Sequence, residues 1–323
     1  MEPTIAVLLP CRNEAQSIDT VVRSFRAALP GCTVYVYDNA STDETARIAR
    51  EAGAVVRFES QRGKGNVVRR MFADVEADVY VIADGDGTYD AAAAPRLIAR
   101  LLDDRLDMAV AARGGDTASA YRRGHRAGNM AINRFVAWLF GQRLTDMLSG
   151  YRAMSRRFVK SFPALATGFE IETELTVHAL ELRMPFAEVP VPYAARAEGS
   201  HSKLSTWRDG LRILAAIIFL FKEVRPFRFF GALCLALAAI SMGLAYPLVM
   251  TYLTTGLVPR VPTAVLTTGI MLAAIFCLLC GTILDTVSRG RREAKRMRYL
   301  AIPASAAVFR PAQAGPAALS SHG

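Results

Sequence analysis

The stretch Val79-Tyr-Val-Ile-Ala-Asp-Gly-Asp86 joins five apolar residues to two carboxylates. An apolar run of this length, bounded by polar sequence, is typical of a strand that is buried on both faces. Asp84 and Asp86, two residues apart after such a strand, are able to hold a hard cation such as Mg²⁺ or Mn²⁺ against substrate phosphates. Gly85 and Gly87 allow a ligand to approach the backbone closely. The stretch therefore predicts a buried sheet with a metal–phosphate site at a strand end.

Two other interpretations of the pair Asp84 and Asp86 compete with the metal site. A calcium loop that begins at Asp84 requires Gly at its sixth position and Glu at its twelfth. The chain has Tyr89 and Pro95 there, so the calcium loop fails. An ordinary turn rich in Asp and Gly stays open from this stretch alone.

Apolar runs and amphipathic stretches alternate along residues 1 to about 200. Four more apolar runs are predicted strands, at residues 5–9, 34–37, 55–58 and 108–112. The amphipathic stretches are predicted helices, at residues 17–29, 42–52, 66–75, 95–102, 128–140 and 171–184. This alternation predicts an α/β fold with right-handed crossovers and a mostly parallel sheet. Ligands of such sheets bind at the carboxyl ends of the strands.

Every predicted strand is followed by polar, charged or Gly-rich sequence. These segments are Pro10–Glu14, Asp38–Asp43, Arg62–Gly65, Asp84–Thr88 and Arg113–Gly115. Helix caps and turns alone account for one polar strand end, but five in series predict a nucleotide site. Lys64 would then touch a diphosphate, with a solvated turn as the alternative. A Walker ATPase and a Rossmann dehydrogenase are disfavoured, because neither G-x-x-x-x-G-K-[ST] nor an opening G-x-G-x-x-G is present.

Two long uncharged stretches, residues 229–258 and 261–284, follow the predicted α/β domain. Each exceeds the ~20 residues with which a helix crosses a bilayer, so they predict a transmembrane hairpin of two spans. The net charge is +10, and from Lys222 onward eleven Lys/Arg stand against three Asp/Glu. Their placement before the first span and after the second predicts cytoplasmic termini. The same distribution favours a bilayer surface over nucleic acid as partner.

The predicted organisation has four parts. They are a cytosolic α/β domain (1–204), an interfacial amphipathic helix (205–228), a transmembrane hairpin (229–287), and a basic juxtamembrane segment with a disordered tail (288–323). The apolar core of the second part is too short to span a bilayer, so we expect it to lie in the interface. A last helix of the α/β domain is an equally good interpretation. The five cysteines lack framework spacing, which argues against a disulfide-stapled secreted fold.

Over roughly residues 4–210, the chain resembles the inverting family 2 glycosyltransferases with a GT-A fold. In particular, it resembles the polyprenyl-phosphate sugar synthases of the dolichyl-phosphate mannose or glucose synthase type. The motifs that carry the resemblance are Leu9–Glu14, Asp38–Asp43, Asp84–Asp86, Ile132–Arg134, Asp146–Arg152, Arg196 and Ser202–Leu204. The two-span hairpin is similar to that of the members with C-terminal membrane helices.

The resemblance implies a role for each matching residue. The donor would be bound by Pro10, Arg12, Glu14, Asp38, Lys64, Asp84, Arg196 and Lys203. A Mg²⁺ or Mn²⁺ ion would be held by Asp84 and Asp86. The acceptor phosphate would be met by Arg113, Arg134, Ser149 and Arg152. The catalytic residues would be Asp86, Arg134 and Asp146.

The chain departs from the family pattern at two places. Gly87-Thr88 follows the acidic pair where many members carry a Gln. The spacing from Arg196 to Lys203 is one residue longer than in the mannose synthases. The resemblance therefore does not imply that this chain shares their sugar specificity. Three acidic residues, Glu170, Glu172 and Glu174, lie at the start of the predicted helix 171–184. In our preferred interpretation they form a solvated face.

The implied activity is transfer of a hexose, with inversion, from a nucleotide sugar to an undecaprenyl or dolichyl phosphate at the cytoplasmic face of the cell membrane. A UDP-hexose is the preferred donor and GDP-mannose the other. No nucleic-acid partner is expected, and a homo-oligomer stays open. Two alternatives remain. One is a glycosyltransferase of the same fold with another acceptor, as in polysaccharide synthesis, and the other is a catalytically silent nucleotide-binding scaffold.

Overall fold

The computed structural model describes residues 2–113, 134–138, 140–141, 145–168, 170–192 and 218–303. The chain divides into two compact units, residues 1–203 with 295–323 and residues 204–294. Most of the predicted interfacial helix lies outside the described residues, although residues 218–224 are helical. The tail from residue 304 and the start of the predicted helix 128–140 also lie outside the described residues.

One mixed sheet forms the centre of the first unit. Its described strands are β1 Ile5–Cys11, β2 Thr33–Asp38, β3 Val55–Phe58, β4 Val79–Ile82, β5 Met108–Arg113, β6 Arg152–Ser155 and β7 Phe186–Val191. Their spatial order is β3-β2-β1-β4-β6-β5-β7. All neighbours pair in parallel except β6, which is antiparallel to both β4 and β5. The predicted α/β fold with a mostly parallel sheet is therefore confirmed.

The first six helices lie between the strands in the sequence and cover both faces of the sheet. Those with described bounds are α1 Ile18–Ala28, α2 Thr45–Glu51, α3 Lys64–Asp74, α4 Ala94–Asp103, α5 Arg156–Ser161, α6 Ile171–Leu182, α7 Pro226–Thr255 and α8 Val261–Ala301. Their burial follows the helical period. In α1, for example, Ile18, Val22 and Phe25 are buried while Arg23 faces solvent.

Side chains of β1 alternate between two apolar clusters, one on each face of the sheet. Val7 and Leu9 belong to the cluster under α1 and α4, whereas Ala6 and Leu8 belong to the cluster under α3 and α5. This alternation follows from the two-residue period of a strand. Because both faces are covered, the polar strand ends are the part of the sheet that remains accessible to ligands.

The sequence did not predict β6, α5 or β7. Strand β6 has only four residues, of which one is an arginine, so it lacks the apolar run of a buried strand. Strand β7 contains Glu188 and Pro190. Proline lacks an N–H donor and is therefore disfavoured within a strand, but it is tolerated in an edge strand, and β7 lies at the edge of this sheet. These two strands place the segment between residues 145 and 192 against the parallel part of the sheet.

Helices α7 and α8 of the chain are long and apolar enough to cross a membrane. Within the second unit they pack through small residues. The Ser241 hydroxyl of α7 donates to the Thr267 carbonyl of α8 over 2.9 Å. A Cβ atom at Gly281 would lie 2.9 Å from Cβ of Phe230, so glycine is required for this close approach. The two helices form a helical hairpin and are joined by residues 256–260.

Candidate active site

The loops that follow β1 and β2 are held together by side-chain hydrogen bonds. The Asn13 carboxamide oxygen accepts from the Thr42 backbone N–H over 2.8 Å, and the Asn13 N–H donates to the Ser41 hydroxyl over 2.9 Å. Asn13 has φ of 58°, in the left-handed region that asparagine tolerates better than most residues. These contacts bring the polar ends of two neighbouring strands into one surface.

The first four predicted donor residues lie on that surface. Pro10 is half-buried near the end of β1, and Arg12 is exposed in the loop after it. Glu14 is half-buried, and its N–H donates to the Thr45 hydroxyl over 2.9 Å. Asp38 is buried at the end of β2. The structure thus brings these residues together at adjacent strand ends, which is the geometry that a donor pocket requires.

Asn39 fixes the ends of β2 and β3 to the start of α3, a function that the sequence analysis missed. Its amide nitrogen donates to the carbonyls of Glu59 and Gln61 over 2.9 and 2.8 Å. Its carboxamide oxygen accepts from the Gly63 N–H over 2.8 Å. Gly63 has φ of 124°, and a Cβ atom there would lie 2.1 Å from the Thr167 carbonyl oxygen. The position immediately before Lys64 is therefore held from two sides.

Lys64 is the first residue of α3, and its side chain is only 8% exposed, with the ammonium between two carboxylates. It forms ion pairs with Asp84 and with Glu172, the latter over 2.6 Å. Burial by itself would lower the pKa of Lys64, but the charges of Asp84 and Glu172 raise it above its ordinary value. Lys64 is therefore a fixed positive charge at the strand edge. The solvated-turn interpretation of Lys64 is wrong.

The prediction of a solvated acidic face is also wrong for Glu172. This side chain is buried and contacts Lys64. Glu174 is half-buried and accepts from the Leu165 and Ala166 N–H groups. Glu170, in contrast, is exposed. Because α6 packs over the end of α3, the spacing of charges on one helix did not reveal that Glu172 faces a lysine 108 residues away.

Asp84 and Asp86 follow β4 at the centre of the accessible edge, and both are half-buried. One Asp86 oxygen accepts from the Thr88 N–H over 3.1 Å and from its hydroxyl over 2.7 Å. A Cβ atom at Gly150 would lie 2.8 Å from the Oδ2 atom of Asp84, so a larger residue at this position would clash with that oxygen. Thr88 therefore orients Asp86 at the position where many family members carry a Gln.

The donor set of this edge fits Mg²⁺ or Mn²⁺. No group of three or more His, Cys, Asp and Glu side chains that would enclose a metal occurs among the described residues. Mg²⁺, however, is usually bound by one or two carboxylates together with water and substrate phosphates rather than by a protein cage. Two half-buried carboxylates, two residues apart at the end of a strand, meet that description.

Arg113 and Asp146 form a bidentate ion pair at the end of β5. The Nε and Nη2 atoms of Arg113 lie 2.6 Å from the two Asp146 oxygens. The Arg113 N–H donates to Asp146 as well, and Glu188 accepts from the Asp146 N–H. Asp146 is buried. The Asp146 carboxylate, predicted to take part in catalysis, therefore holds Arg113 in place in this structure.

Ser149 and Arg152, both predicted to meet the acceptor phosphate, are fully buried. The Arg152 guanidinium donates to the carbonyls of Ser149, Met147 and Glu172 over 2.9, 2.7 and 3.0 Å. Burial lowers the pKa of Arg152 to about 10. The guanidinium ties the segment before β6 to α6, so it positions the loop at Gly150 instead of binding a ligand.

The remaining predicted residues are not joined to this edge by a described contact. Arg134 is exposed on the helical residues 134–138. Arg196 and Lys203 lie outside the described residues, as does most of the segment between Arg113 and Arg134.

Comparison with known proteins gives three related results. Residues 6–161 match the family model of Glycosyl transferase family 2. Glycosyltransferase AglJ of Haloferax volcanii is 33% identical over 299 residues, covering 92% of this chain and 98% of AglJ. The dolichyl-phosphate hexose transferase of the same organism is 30% identical over 222 residues, covering 68% of this chain and 95% of that protein.

A solved structure is similar to a large part of the chain. It is glucosyl-3-phosphoglycerate synthase of Mycobacterium tuberculosis in complex with Mn²⁺, uridine diphosphate and phosphoglyceric acid. The identity is 25%, the TM-score is 0.55, and the match covers 68% of this chain and 78% of that one. The likeness confirms the expected GT-A-like fold.

Proposed function

The chain belongs to glycosyl transferase family 2, and we propose that it transfers a hexose from a nucleotide diphosphate sugar to a polyprenyl phosphate. The observation that carries the proposal is the charged cluster at the carboxyl edge of the sheet, where Asp84, Lys64 and Glu172 meet beside Asp86. The dolichyl-phosphate hexose transferase that resembles this chain supports a polyprenyl phosphate as acceptor. The two apolar helices support a substrate that is itself anchored in a membrane.

The donor would lie along the ends of β1, β2 and β4. Pro10, Arg12, Glu14 and Asp38 would surround its base and ribose, since they share one surface with the acidic pair. We prefer a UDP-hexose, because the similar mycobacterial structure contains uridine diphosphate with Mn²⁺. A GDP-hexose is the alternative donor. Arg196 and Lys203 stay in the proposal as residues that close over the diphosphate.

Asp84 and Asp86 would hold a Mg²⁺ or Mn²⁺ ion together with oxygens of the donor diphosphate. When bound, the ion supplies positive charge that stabilises the departing nucleoside diphosphate. Lys64 adds a permanent positive charge next to Asp84. Thr88 keeps the Asp86 carboxylate oriented through two hydrogen bonds. These residues would be in place before substrate binds, which reduces the reorganisation needed during the reaction.

The acceptor needs little activation. A phosphate monoester has its second pKa near ~6, so the lipid phosphate is largely a dianion at neutral pH. One of its oxygens would attack the anomeric carbon while the bond from that carbon to the diphosphate oxygen breaks, which inverts the configuration. Arg113, held by Asp146, and Arg134 would attract the lipid phosphate. The protein therefore contributes mainly position and charge.

The helix pair α7–α8 would anchor the protein in the cell membrane. Basic residues flank the start of α7 and the end of the apolar part of α8. This asymmetry favours both termini and the catalytic domain on the cytoplasmic side. The head group of the acceptor would then lie in the leaflet that faces the catalytic domain.

A transfer assay tests the proposal. Full-length protein in detergent is incubated with Mn²⁺ or Mg²⁺, a polyprenyl phosphate and a panel of UDP- and GDP-hexoses, and lipid products are identified by mass spectrometry. We expect a polyprenyl-phosphate hexose from one donor, lost when EDTA removes the metal. If donor binds but no lipid product forms with any donor, the acceptor assignment is wrong. Transfer to a sugar acceptor under the same conditions would favour polysaccharide synthesis.

A further inference from the structure

We infer that the charged end of the α7–α8 hairpin is a binding site for the phosphate head group of an anionic membrane lipid. A cavity of about 370 Å³ lies there within the second unit. It is lined by Arg225, Phe227, Arg228, Thr282, Asp285, Thr286 and Arg289. The inference does not depend on the proposed transfer reaction, because none of these residues belongs to the charged edge of the sheet.

The cavity lies where the apolar stretches of both helices end. The uncharged sequence of α7 starts at residue 229, and that of α8 ends at residue 284. The close contact between Gly281 and Phe230 holds the two helices together at this level. The end of an uncharged span is the depth at which a bilayer changes from acyl chains to head groups. A lipid beside the hairpin would therefore bring its head group to the cavity.

The charge of the lining favours an anion. It contains three guanidinium groups and one carboxylate. The carboxylate of Asp285 pairs with Arg289 one turn later, with contacts of 2.8 and 2.9 Å. Arg228 of α7 and Arg225, which directly precedes that helix, contribute the other two positive charges of the lining. Guanidinium groups bind phosphate oxygens in pairs, which is a geometry that ammonium groups do not offer.

The start of α7 adds to this preference. Pro226 is its first residue, so the cavity is next to the first turn of a 30-residue helix. The first amides of a helix have no acceptor within the helix, and the aligned peptide dipoles favour negative charge there. The threonine hydroxyls contribute less, because those of Thr282 and Thr286 already donate to carbonyls one turn earlier.

A lipid fits the cavity better than free phosphate. Phe227 of the lining is half exposed, and the uncharged stretch of α7 begins two residues later. A ligand with one phosphate and an apolar chain would place its phosphate near the arginines and its chain along the uncharged helix surface. The volume of about 370 Å³ also accommodates a phosphate group with several waters, each of which takes ~30 Å³.

Native mass spectrometry of the full chain in a neutral detergent tests the inference. The probes are a phosphatidylglycerol, a polyprenyl phosphate, a phosphatidylcholine and inorganic phosphate, without donor or divalent metal. We compare the wild type with R225Q/R228Q, with D285N and with R296Q/R298Q. The last variant removes the same charge from exposed positions of α8 outside the cavity.

We expect R225Q/R228Q to weaken binding of the anionic lipids by roughly tenfold or more. The control R296Q/R298Q should change it little, and D285N should strengthen it, because one opposing charge is gone. Preference for the polyprenyl phosphate would identify the acceptor lipid, and equal binding of phosphatidylglycerol would identify anionic lipids in general. Equal weakening in both double variants, equal binding of phosphatidylcholine, or binding of inorganic phosphate alone would overturn the inference.

Discussion

The two parts of the sheet bring charged residues to one edge in different ways. Along β1 to β4, each polar residue lies at the end of its own parallel strand or just beyond it, as Asp38 and Asp84 do. Around the antiparallel strand β6, residues are fixed by contacts with distant parts of the chain. Arg152 reaches the Glu172 carbonyl, and Glu172 reaches Lys64, 108 residues earlier. We infer that the first part contacts substrates and that the second part holds the first in position.

The largest expected effect on activity follows substitution of Asp86, which belongs to the part of the sheet that we infer to contact substrates. Asp86→Asn keeps the volume of the side chain but removes its charge, and we expect transfer to fall by about 10²–10³-fold because several kcal/mol of charge stabilisation are lost. The initial rate of polyprenyl-phosphate hexose formation measures it. Asp90→Asn is the matched control, since Asp90 is an exposed carboxylate of the same loop that caps a turn. Equal rates in the two variants would contradict the role of Asp86.

Substitution of Arg152 should damage the supporting part instead. Arg152→Met removes a buried guanidinium together with its hydrogen bonds to three carbonyls, so we expect the free energy of unfolding to fall by roughly 3–5 kcal/mol. The midpoint of thermal unfolding in detergent reports the change. Arg156→Met removes an arginine whose ion pair with Glu76 is largely exposed, and it should cost at most about 1 kcal/mol. A similar fall of the unfolding midpoint in both variants would show that the buried contacts of Arg152 contribute no more to stability than the exposed ion pair of Arg156.

Lys64 and Glu172 join the two parts, and a double-mutant cycle measures that connection. Lys64→Met leaves Glu172 buried without its counter-charge, which should destabilise the protein. Glu172→Gln removes that charge, so the double variant should be more stable than Lys64→Met alone. We expect a coupling of about 1–3 kcal/mol between the two sites. Simple additivity of the two substitutions would mean that the ion pair contributes no net stability.

A smaller effect concerns His178 in the supporting part. Burial lowers the pKa of His178 to about 3, below its ordinary value near 6.5. The unfolded chain then binds a proton that the folded protein does not, so stability should fall as the pH drops from about 6.5 towards 3. The slope from this group is at most ~1.4 kcal/mol per pH unit. Thermal unfolding across this range should be less pH-dependent in His178→Leu; an unchanged slope would contradict the assignment.

The contrast between the two parts also explains what the sequence predicted. The strands that carry apolar runs, and the polar residues that follow them, are visible as local patterns, and the five predicted strands are confirmed. Ser149 and Arg152 look the same in sequence whether they contact a ligand or the interior. The burial of Glu172 depends on how α6 packs, and the four-residue strand β6 has no apolar run. Residues that act through long-range contacts therefore escaped sequence analysis.

Binding of Mn²⁺ tests the central claim most directly, namely that Asp84 and Asp86 form a metal–diphosphate site at the end of β4. The free Mn²⁺ signal is followed by electron paramagnetic resonance as full-length protein is added, with and without UDP or GDP. We predict about one Mn²⁺ bound per chain in the presence of one of these diphosphates, and loss of that binding in D84N/D86N at the same nucleotide concentration. Equal uptake of Mn²⁺ by the wild type and D84N/D86N would contradict the account.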